Sequence, residues 1–200
     1  MARLIILRHG NTFDKGDTPT RVGARTDLSL SVSGHMQAHS LATHFRDTVF
    51  RAAFCSPLLR TRQTARAILD ARPHAPALRI LPFLTEVDYG PDENQTEETV
   101  IARIGAEALA AWDRDATPPS GWQVDPAALR AAWANLLEGA AELDADDTVL
   151  IITSNGIARF LPDVVDSQPE ALDRKLKTGA WGIVDVGQDG SRILDWNLRP

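Results

Sequence analysis

The sequence predicts an α/β protein, a three-layer α/β/α sandwich with a mostly parallel mixed sheet. Two short apolar runs, residues 4–7 and 148–153, have the continuous branched character of strands that are buried on both faces. Stretches with helical periodicity separate such runs, and this alternation is typical of parallel strands. Near the end of the chain, the turn residues 187–190 lie between two segments of alternating polarity and predict one hairpin.

The first half of the chain predicts three strands and two helices. Residues 4–7 form a strand in the centre of the sheet, and the polar residues 11–27 form a long loop of a kind that is uncommon unless functional. A helix follows to about residue 45, with Ser31 or Ser33 as its cap. Its expected buried face consists of Val32, Met36, Leu41, Ala42 and Phe45.

A second strand at residues 52–55 leads into a helix that is expected to begin with Ser56 as N-cap and Pro57 in its first turn. That helix is expected to run through Leu58, Thr61, Ala65 and Ile68. A third short strand at residues 78–81 precedes an acidic loop over residues 86–93.

The second half predicts helical stretches at residues 97–112 and 126–143, separated by a loop at residues 117–122 that we expect to be a surface lid. The strand at residues 148–153 ends at Ser154, and another helical stretch is expected from Ile157. The hairpin strands are predicted at residues 180–186 and 193–197.

Composition limits the class of protein. A chain of 200 residues with 44% hydrophobic and 24% charged residues fits one folded domain over residues 1–200. A net charge of −6 argues against a nucleic-acid partner, because such binding needs a surplus of Lys and Arg. The lone Cys55 cannot form an internal disulfide, and the first apolar run is too short for a signal peptide or membrane span. We therefore expect a cytoplasmic protein with no membrane partner, and the oligomeric state stays open.

The residues that follow the predicted strands suggest phosphate chemistry. Ligands of α/β sheets bind beyond the carboxyl ends of the strands, and those ends carry Arg8, His9, Asn11, Arg60, Glu86, Asn155 and Gly156. A phosphoryl group needs fixed donors for its oxygens and an in-line nucleophile. Arginine forks suit the oxygens, a neutral imidazole can attack phosphorus, and a carboxyl group such as Glu86 can protonate the leaving oxygen.

Each of these residues also has an ordinary structural interpretation. A lone His9 beside an arginine is commonly solvated, and Arg60 on an early helical turn is commonly exposed. The acidic loop around Glu86 and Asp88 lacks the ligand spacing that specifies a metal site. Asn155 is a good helix cap without any chemistry. The residues taken singly leave both interpretations open.

In combination, the motifs resemble the histidine phosphatase superfamily, also called phosphoglycerate mutase-like, over most of the chain. Arg8-His9-Gly10-Asn11-Thr12 is similar to the nucleophile motif of that family. The run from Ser56 through Arg60 to Ala65 resembles its second motif, and Glu86-Val87-Asp88-Tyr89-Gly90 resembles the loop that carries the proton donor. The resemblance therefore adds a phosphoglycerate mutase-like fold to the prediction.

The resemblance implies roles for the site residues. His9 would be the nucleophile, Glu86 the general acid and later base, and Arg8 and Arg60 the phosphate clamps. Secondary phosphate or substrate contacts are implied for Asn11, Arg21, Gly23, Arg25, Asn155 and Gly156. The implied activity is a phosphatase acting on a small phosphorylated metabolite, with no metal and no cofactor. A phosphoglycerate-type mutase and a catalytically impaired protein that binds a phosphorylated ligand are the alternatives.

Two departures from the family pattern bear on activity. Asn155 stands where the family has a second histidine, and the loss of one donor of this kind costs on the order of 3 kcal/mol of transition-state stabilisation. A neighbouring arginine such as Arg159 is a candidate to compensate, whereas His35, His39, His44 and His74 fall outside the motifs. The second departure is Asp92-Glu93-Asn94, where phosphatases of the family often have a Glu-Gly pair.

Overall fold

A computed structural model of the chain describes residues 1–70 and 72–200. The strands of these residues form one six-stranded sheet: β1 (Ala2–Arg8), β2 (Ala52–Cys55), β3 (Leu78–Ile80), β4 (Thr148–Thr153), β5 (Trp181–Gly187) and β6 (Gly190–Leu198). Its α-helices are α1 (Val32–His44), α2 (Leu59–Leu69), α3 (Glu97–Ile104), α4 (Ala106–Asp115), α5 (Pro126–Ala141) and the four-residue α6 (Asn155–Ala158).

The sheet has the order β3-β2-β4-β1-β5-β6, which confirms the central position expected for β1. β1 pairs parallel with β4, β4 with β2, and β2 with β3, whereas β5 and β6 run antiparallel as the predicted hairpin. Arg8 is in register with Thr153, so β1 and β4 end together. The prediction of a mostly parallel mixed sheet is thus confirmed, and the residues that follow the four parallel strands lie at one edge of the sheet.

β1 is continuously apolar from Leu4 to Leu7 because both faces of the strand are covered there. Leu4 and Ile6 pack into a core beneath α3, α4 and α5, whereas Ile5 and Leu7 pack into a second core with α1 and α2. All four side chains are at most 4% exposed, and each contributes roughly 2 kcal/mol of transfer free energy. The two cores on opposite faces of the sheet confirm the three-layer sandwich.

The predicted buried face of α1 is wrong for two residues. Val32 is 73% exposed and Met36 is 67% exposed, whereas the buried stripe contains Gly34, Ala38 and Leu41. The small residues matter because the first turn of α1 lies directly against the turn that follows β1. A periodicity search that weights large apolar side chains overlooks such a close approach.

The helix starts are partly as predicted. Ser31 caps α1 by accepting a hydrogen bond from the main-chain N–H of Gly34 at 3.2 Å. For α2 the expectation is wrong, because the N-cap position is Leu58 rather than Ser56. The Ser56 hydroxyl instead lies 2.7 Å from the Thr61 hydroxyl, so it braces the first turn through a side-chain contact.

The segment between β3 and β4 differs from the prediction in two places. One helix was expected over residues 97–112, but Gly105, with φ of 82°, separates α3 from α4. Trp122, in the expected lid, is 6% exposed and donates from Nε1 to Asp92 at 2.6 Å. Residues 117–122 do not line the cavity described below, so the lid expectation is wrong, and the loop is attached to the fold through its buried Pro119 and Trp122.

Candidate active site

A cavity of about 530 Å³ opens at the carboxyl edge of the parallel strands. Its lining includes Arg8 and His9 from the end of β1, Glu86 from the loop after β3, and Asn155 from the end of β4. The structure therefore brings these four predicted site residues together. They come from three separated parts of the chain and meet because the parallel strands end at one edge.

His9 is held in a defined state by its two ring nitrogens. Nδ1 lies 2.7 Å from the main-chain oxygen of Gly10, which can only accept a hydrogen bond, so the neutral ring carries its proton on Nδ1. Nε2 then bears the lone pair and accepts from Arg60 Nε at 3.2 Å. Burial, then the charges of Arg60 and Arg8, hold the pKa of His9 well below its ordinary value. The imidazole is therefore a neutral potential nucleophile at physiological pH.

The turn that carries His9 is fixed by close main-chain packing. A Cβ atom on Gly10 would lie 2.6 Å from the carbonyl oxygen of Gly34, so a side chain at Gly10 has no room. The N–H of Gly10 donates to the Thr64 hydroxyl of α2 at 3.2 Å. The glycine of the first motif therefore allows α1 and α2 to hold the turn in place.

Arg60 contacts His9 from the interior of the protein and does not itself line the cavity. Its side chain is fully buried on α2, and its guanidinium also donates to the main-chain oxygens of Thr26 at 2.9 Å and Gly23 at 3.1 Å. These contacts explain Gly23: it was expected to contact phosphate, but it does not line the cavity and holds Arg60 instead. A surface position for Arg60, the ordinary interpretation of its sequence context, is excluded.

Arg8 is oriented at the cavity by one hydrogen bond, from Nη1 to the main-chain oxygen of Leu176 at 2.9 Å. Its Nε is buried and has no hydrogen-bond partner among residues 1–70 and 72–200. An unsatisfied buried N–H is costly, by about 1–3 kcal/mol, and is rare in folded proteins. Because Arg8 lines the cavity, an anion bound there is a candidate partner for this donor.

Glu86 is buried and held by two main-chain donors. Oε1 accepts from the N–H of Val87 at 2.9 Å, and Oε2 accepts from the N–H of Gly156 at 3.2 Å. A Cβ atom on Gly156 would lie only 2.1 Å from Glu86 Oε1. The main-chain N–H of Gly156, expected to contact phosphate, is therefore used to fix the carboxyl group that the resemblance assigns to proton transfer.

Asn155 presents its amide in one orientation. Oδ1 accepts from the main-chain N–H of Leu176 at 2.9 Å, which leaves Nδ2 as the donor of the side chain. Asn155 also lines the cavity. The asparagine thus supplies a neutral donor at the end of β4, where a histidine could supply a charged one.

The cavity holds further cations that lie near Asn155 in space. Arg159 lines it, is 1% exposed, and lies 4.1 Å above the centre of the Trp112 ring. Its Nη2 approaches Asp113 at 3.3 Å, and Lys175 approaches the same carboxylate at 3.6 Å. Arg159, the candidate named from the sequence to offset Asn155, is therefore in the same cavity.

Asn11 and Arg21 line the cavity, but their side chains are largely engaged. The Asn11 amide donates to the Ser33 hydroxyl at 3.1 Å and accepts from the Thr178 hydroxyl at 2.5 Å. Arg21 pairs with Glu97. Arg25, a further loop residue, pairs with Asp88 at 3.0 Å and does not line the cavity.

Sequence reasoning missed several residues that line the cavity, among them Asp113, Lys175 and Thr178. They lie in segments without a motif and reach the site only through tertiary packing. Trp112 also lines the cavity, whereas Trp133 is fully buried and donates to the main-chain oxygen of Ile157. These residues are identified by their positions in the folded structure, and no sequence motif or spacing points to them.

The departure at Asp92-Glu93-Asn94 is accommodated by the backbone. Asn94 has φ of 61°, in the left-handed region that favours glycine and that asparagine tolerates better than most residues. Asn94 can therefore adopt the backbone conformation that the glycine of the family pattern would allow.

Three kinds of feature are absent from the described residues or from the cavity lining. Within the described residues, no group of three or more His, Cys, Asp or Glu side chains is placed to hold a metal ion. In the same part of the chain, no helix is both long and apolar enough to cross a membrane. His35, His39, His44 and His74 lie outside the cavity lining.

A sequence model of the histidine phosphatase superfamily (branch 1) matches residues 4–199. The 2,3-bisphosphoglycerate-dependent phosphoglycerate mutase 2 of Gloeobacter violaceus is 28% identical over 179 residues, covering 87% of this chain and 80% of that protein. The adenosylcobalamin/alpha-ribazole phosphatase of Salmonella typhimurium is 28% identical over 205 residues, covering 98% of this chain and 96% of that protein.

Solved structures share the fold. The mycobacterial glucosyl-3-phosphoglycerate phosphatase, in complex with VO3, superposes with a TM-score of 0.78 at 21% identity. The superposition covers 98% of each chain. At this identity the likeness supports the architecture of the sheet and its helices alone.

Proposed function

The chain belongs to the histidine phosphatase superfamily, and from this membership we propose that it is a phosphomonoesterase acting on a small phosphorylated metabolite through a phosphohistidine intermediate. The observation that carries the proposal is the state of His9. The Nδ1–H of His9 donates to the main-chain oxygen of Gly10, and its Nε2 lone pair accepts a hydrogen bond from Arg60. The positive charges of Arg60 and Arg8 both act on the imidazole. A neutral, oriented imidazole among cations is suited to attack on an anionic phosphorus centre.

In the proposed first step, His9 Nε2 attacks phosphorus as the bond to the leaving oxygen breaks. Glu86, as the carboxylic acid, gives its proton to that oxygen, and the alcohol departs. Arg60 does not line the cavity of the free protein, so its Nε–H must turn from the His9 lone pair to a phosphoryl oxygen when the substrate binds, while Arg8 Nε–H donates to another oxygen. Both arginines thereby neutralise charge that the transition state carries on the equatorial oxygens.

In the second step, Glu86 is a carboxylate and takes a proton from water. That water attacks phosphorus, the bond between phosphorus and Nε2 breaks, and inorganic phosphate leaves. The neutral His9 and the protonated Glu86 are restored. The two main-chain donors on Glu86, from Val87 and Gly156, keep its carboxyl group in one place through both steps.

The cavity supports a small, polar leaving group. Its volume of about 530 Å³ lies in the lower half of the range for small-molecule sites. Beyond the phosphate end it is lined by Arg159 and Lys175 as well as Trp112. This mixture favours a metabolite with polar or charged substituents.

Asn155 supports a second candidate, a protein that binds a phosphorylated ligand with little turnover. The amide supplies a donor without a positive charge, and Arg159 and Lys175 add charge elsewhere in the cavity. Binding therefore depends less on the missing histidine than catalysis does.

The test is phosphate release from p-nitrophenyl phosphate and from a panel of sugar, nucleotide and amino-acid phosphates. The proposal expects release by the wild type, its abolition by His9→Ala, and full activity of the control His35→Ala, since His35 is exposed on α1. Ligand binding without release would favour the binding protein. Movement of phosphate between positions of phosphoglycerate, without net release, would favour a mutase.

A further inference from the structure

Glu93 is the most heavily hydrogen-bonded carboxylate beside the site, although it does not line the cavity. Its Oε1 accepts from the main-chain N–H groups of Gly23 at 3.1 Å and Arg25 at 2.9 Å, and from the Thr26 hydroxyl at 2.9 Å. Its Oε2 accepts from the main-chain N–H of Tyr89 at 3.1 Å. One side chain thus joins the loop before α1 to the loop that carries Glu86.

The segment that Glu93 binds is also the segment that holds Arg60. The main-chain oxygens of Gly23 and Thr26 accept from the two terminal nitrogens of the Arg60 guanidinium. The third nitrogen, Nε, donates to His9. The main-chain N–H groups of residues 23–26 therefore donate to the Glu93 carboxylate, while main-chain oxygens of the same residues accept from Arg60.

We propose that Glu93 is a positioning residue, which acts through residues 23–26 to hold the Arg60 guanidinium against His9. The inference rests on the proposed function for its effect on rate, since it assigns Arg60 to the reacting phosphoryl group. Gly23 and the Glu93 carboxylate are in close contact, because a Cβ atom on Gly23 would lie 2.3 Å from Glu93 Oε2.

The loop has other attachments that keep it folded when Glu93 is changed. The N–H of Ala24 donates to the main-chain oxygen of Val87 at 3.0 Å, and Asp27 accepts from the N–H of Leu59 at 2.6 Å. Removal of the Glu93 carboxylate should therefore loosen residues 23–26 locally without unfolding the domain. The expected result is a displaced guanidinium rather than a lost fold.

A displaced guanidinium has a measurable signature at His9. The charged groups around the imidazole are Arg8 from β1, Arg60 from α2 and Glu86 from the loop after β3. Arg60 opposes protonation of His9 by its charge and by donating to the lone pair that a proton would occupy. When Arg60 withdraws, the pKa of His9 should rise.

The experiment is an NMR titration of ¹⁵N-histidine-labelled protein without substrate, with the His9 signal identified by its absence in His9→Gln. In Glu93→Ala the pKa of His9 should rise by about one unit. In Glu93→Gln the rise should be smaller, because the Gln carbonyl can keep the three Oε1 contacts while its amide cannot accept from Tyr89. The matched control is Asp166→Ala, which removes a carboxylate that accepts from the Ser191 N–H at 2.7 Å in the hairpin. It should leave the His9 titration unchanged.

An unchanged His9 titration in folded Glu93→Ala would overturn the proposal, as would an equal shift in Asp166→Ala. If Glu93→Ala does not fold, Glu93→Gln decides by the same criterion: a rise supports the proposal and no change overturns it. Because the titration needs no turnover, absence of phosphatase activity in the wild type would refute the proposed function and leave this test intact. Where the wild type is active, kcat of Glu93→Ala should fall by about tenfold or more.

Discussion

Gly156 offers the sharpest test of the proposed acid, because alanine at that position adds one methyl group next to Glu86. The new Cβ would lie 2.1 Å from Oε1 and 3.1 Å from the carboxyl carbon, and 3.3 Å from Cγ1 of Val87. Since Cβ contacts below 3.0 Å essentially do not occur, the carboxyl group must move by about 1 Å. That movement also breaks the 3.2 Å hydrogen bond from the Gly156 N–H.

Two consequences of Gly156→Ala can be measured separately. Overpacking at a buried position should lower the free energy of unfolding by about 1–3 kcal/mol. A misplaced general acid should lower kcat by about a hundredfold or more on an alkyl phosphate, whose leaving oxygen needs the proton. On p-nitrophenyl phosphate, whose leaving group is a stable anion, the loss should stay within about fivefold.

The assay compares kcat on the two esters, with urea unfolding to confirm that the variant is folded. The control is Gly139→Ala in α5, where a new Cβ would meet nothing within 4 Å. It should keep both activities and raise the free energy of unfolding by about 0.5–1 kcal/mol. Equal losses on both esters would show that Gly156 affects phosphate binding instead, and wild-type rates on both would refute the steric reasoning.

Three further predictions concern charge and pH. Because the native pKa of His9 lies well below 6.5, the unfolded state alone takes up this proton as the pH falls below 6.5, so the free energy of unfolding should decrease there. His9→Gln should flatten that decrease in urea unfolding, and an unaltered pH dependence would contradict the buried neutral imidazole. Asn155→His should raise kcat by about tenfold or more, since an imidazolium adds positive charge at the phosphate. A lower kcat would show that the site is tuned around the amide. Arg103→Met should lower the free energy of unfolding by roughly 3 kcal/mol, because it leaves the 1% exposed Asp92 carboxylate without its ion pair. A loss below about 1 kcal/mol would show that the hydrogen bond from Trp122 is enough.

Several features were predictable because they depend on local chemistry. The continuous apolar runs predicted the positions of β1 and β4, because a strand that is buried on both faces has apolar residues at successive positions instead of alternating apolar and polar residues. The motif around His9 located the nucleophile candidate, and Ser31 was recognisable as a cap. The failures have a common cause: Val32 and Met36 suggested the wrong face of α1, where the contact is made through Gly34. A close main-chain approach leaves no large apolar side chain for a pattern to detect.

The sequence by itself determined the α/β class, the order of strands and helices, and the chemistry available at His9, Arg60 and Glu86. Residue type and spacing are sufficient for these because hydrophobic periodicity and the functional group of each side chain are local properties. Only the tertiary structure decided how each group is used. It turned Gly23 and Gly156 from phosphate contacts into supports for Arg60 and Glu86, and it placed Arg159 in the cavity with Asn155. Those roles depend on which partners lie within hydrogen-bond distance, and the partners come from distant parts of the chain.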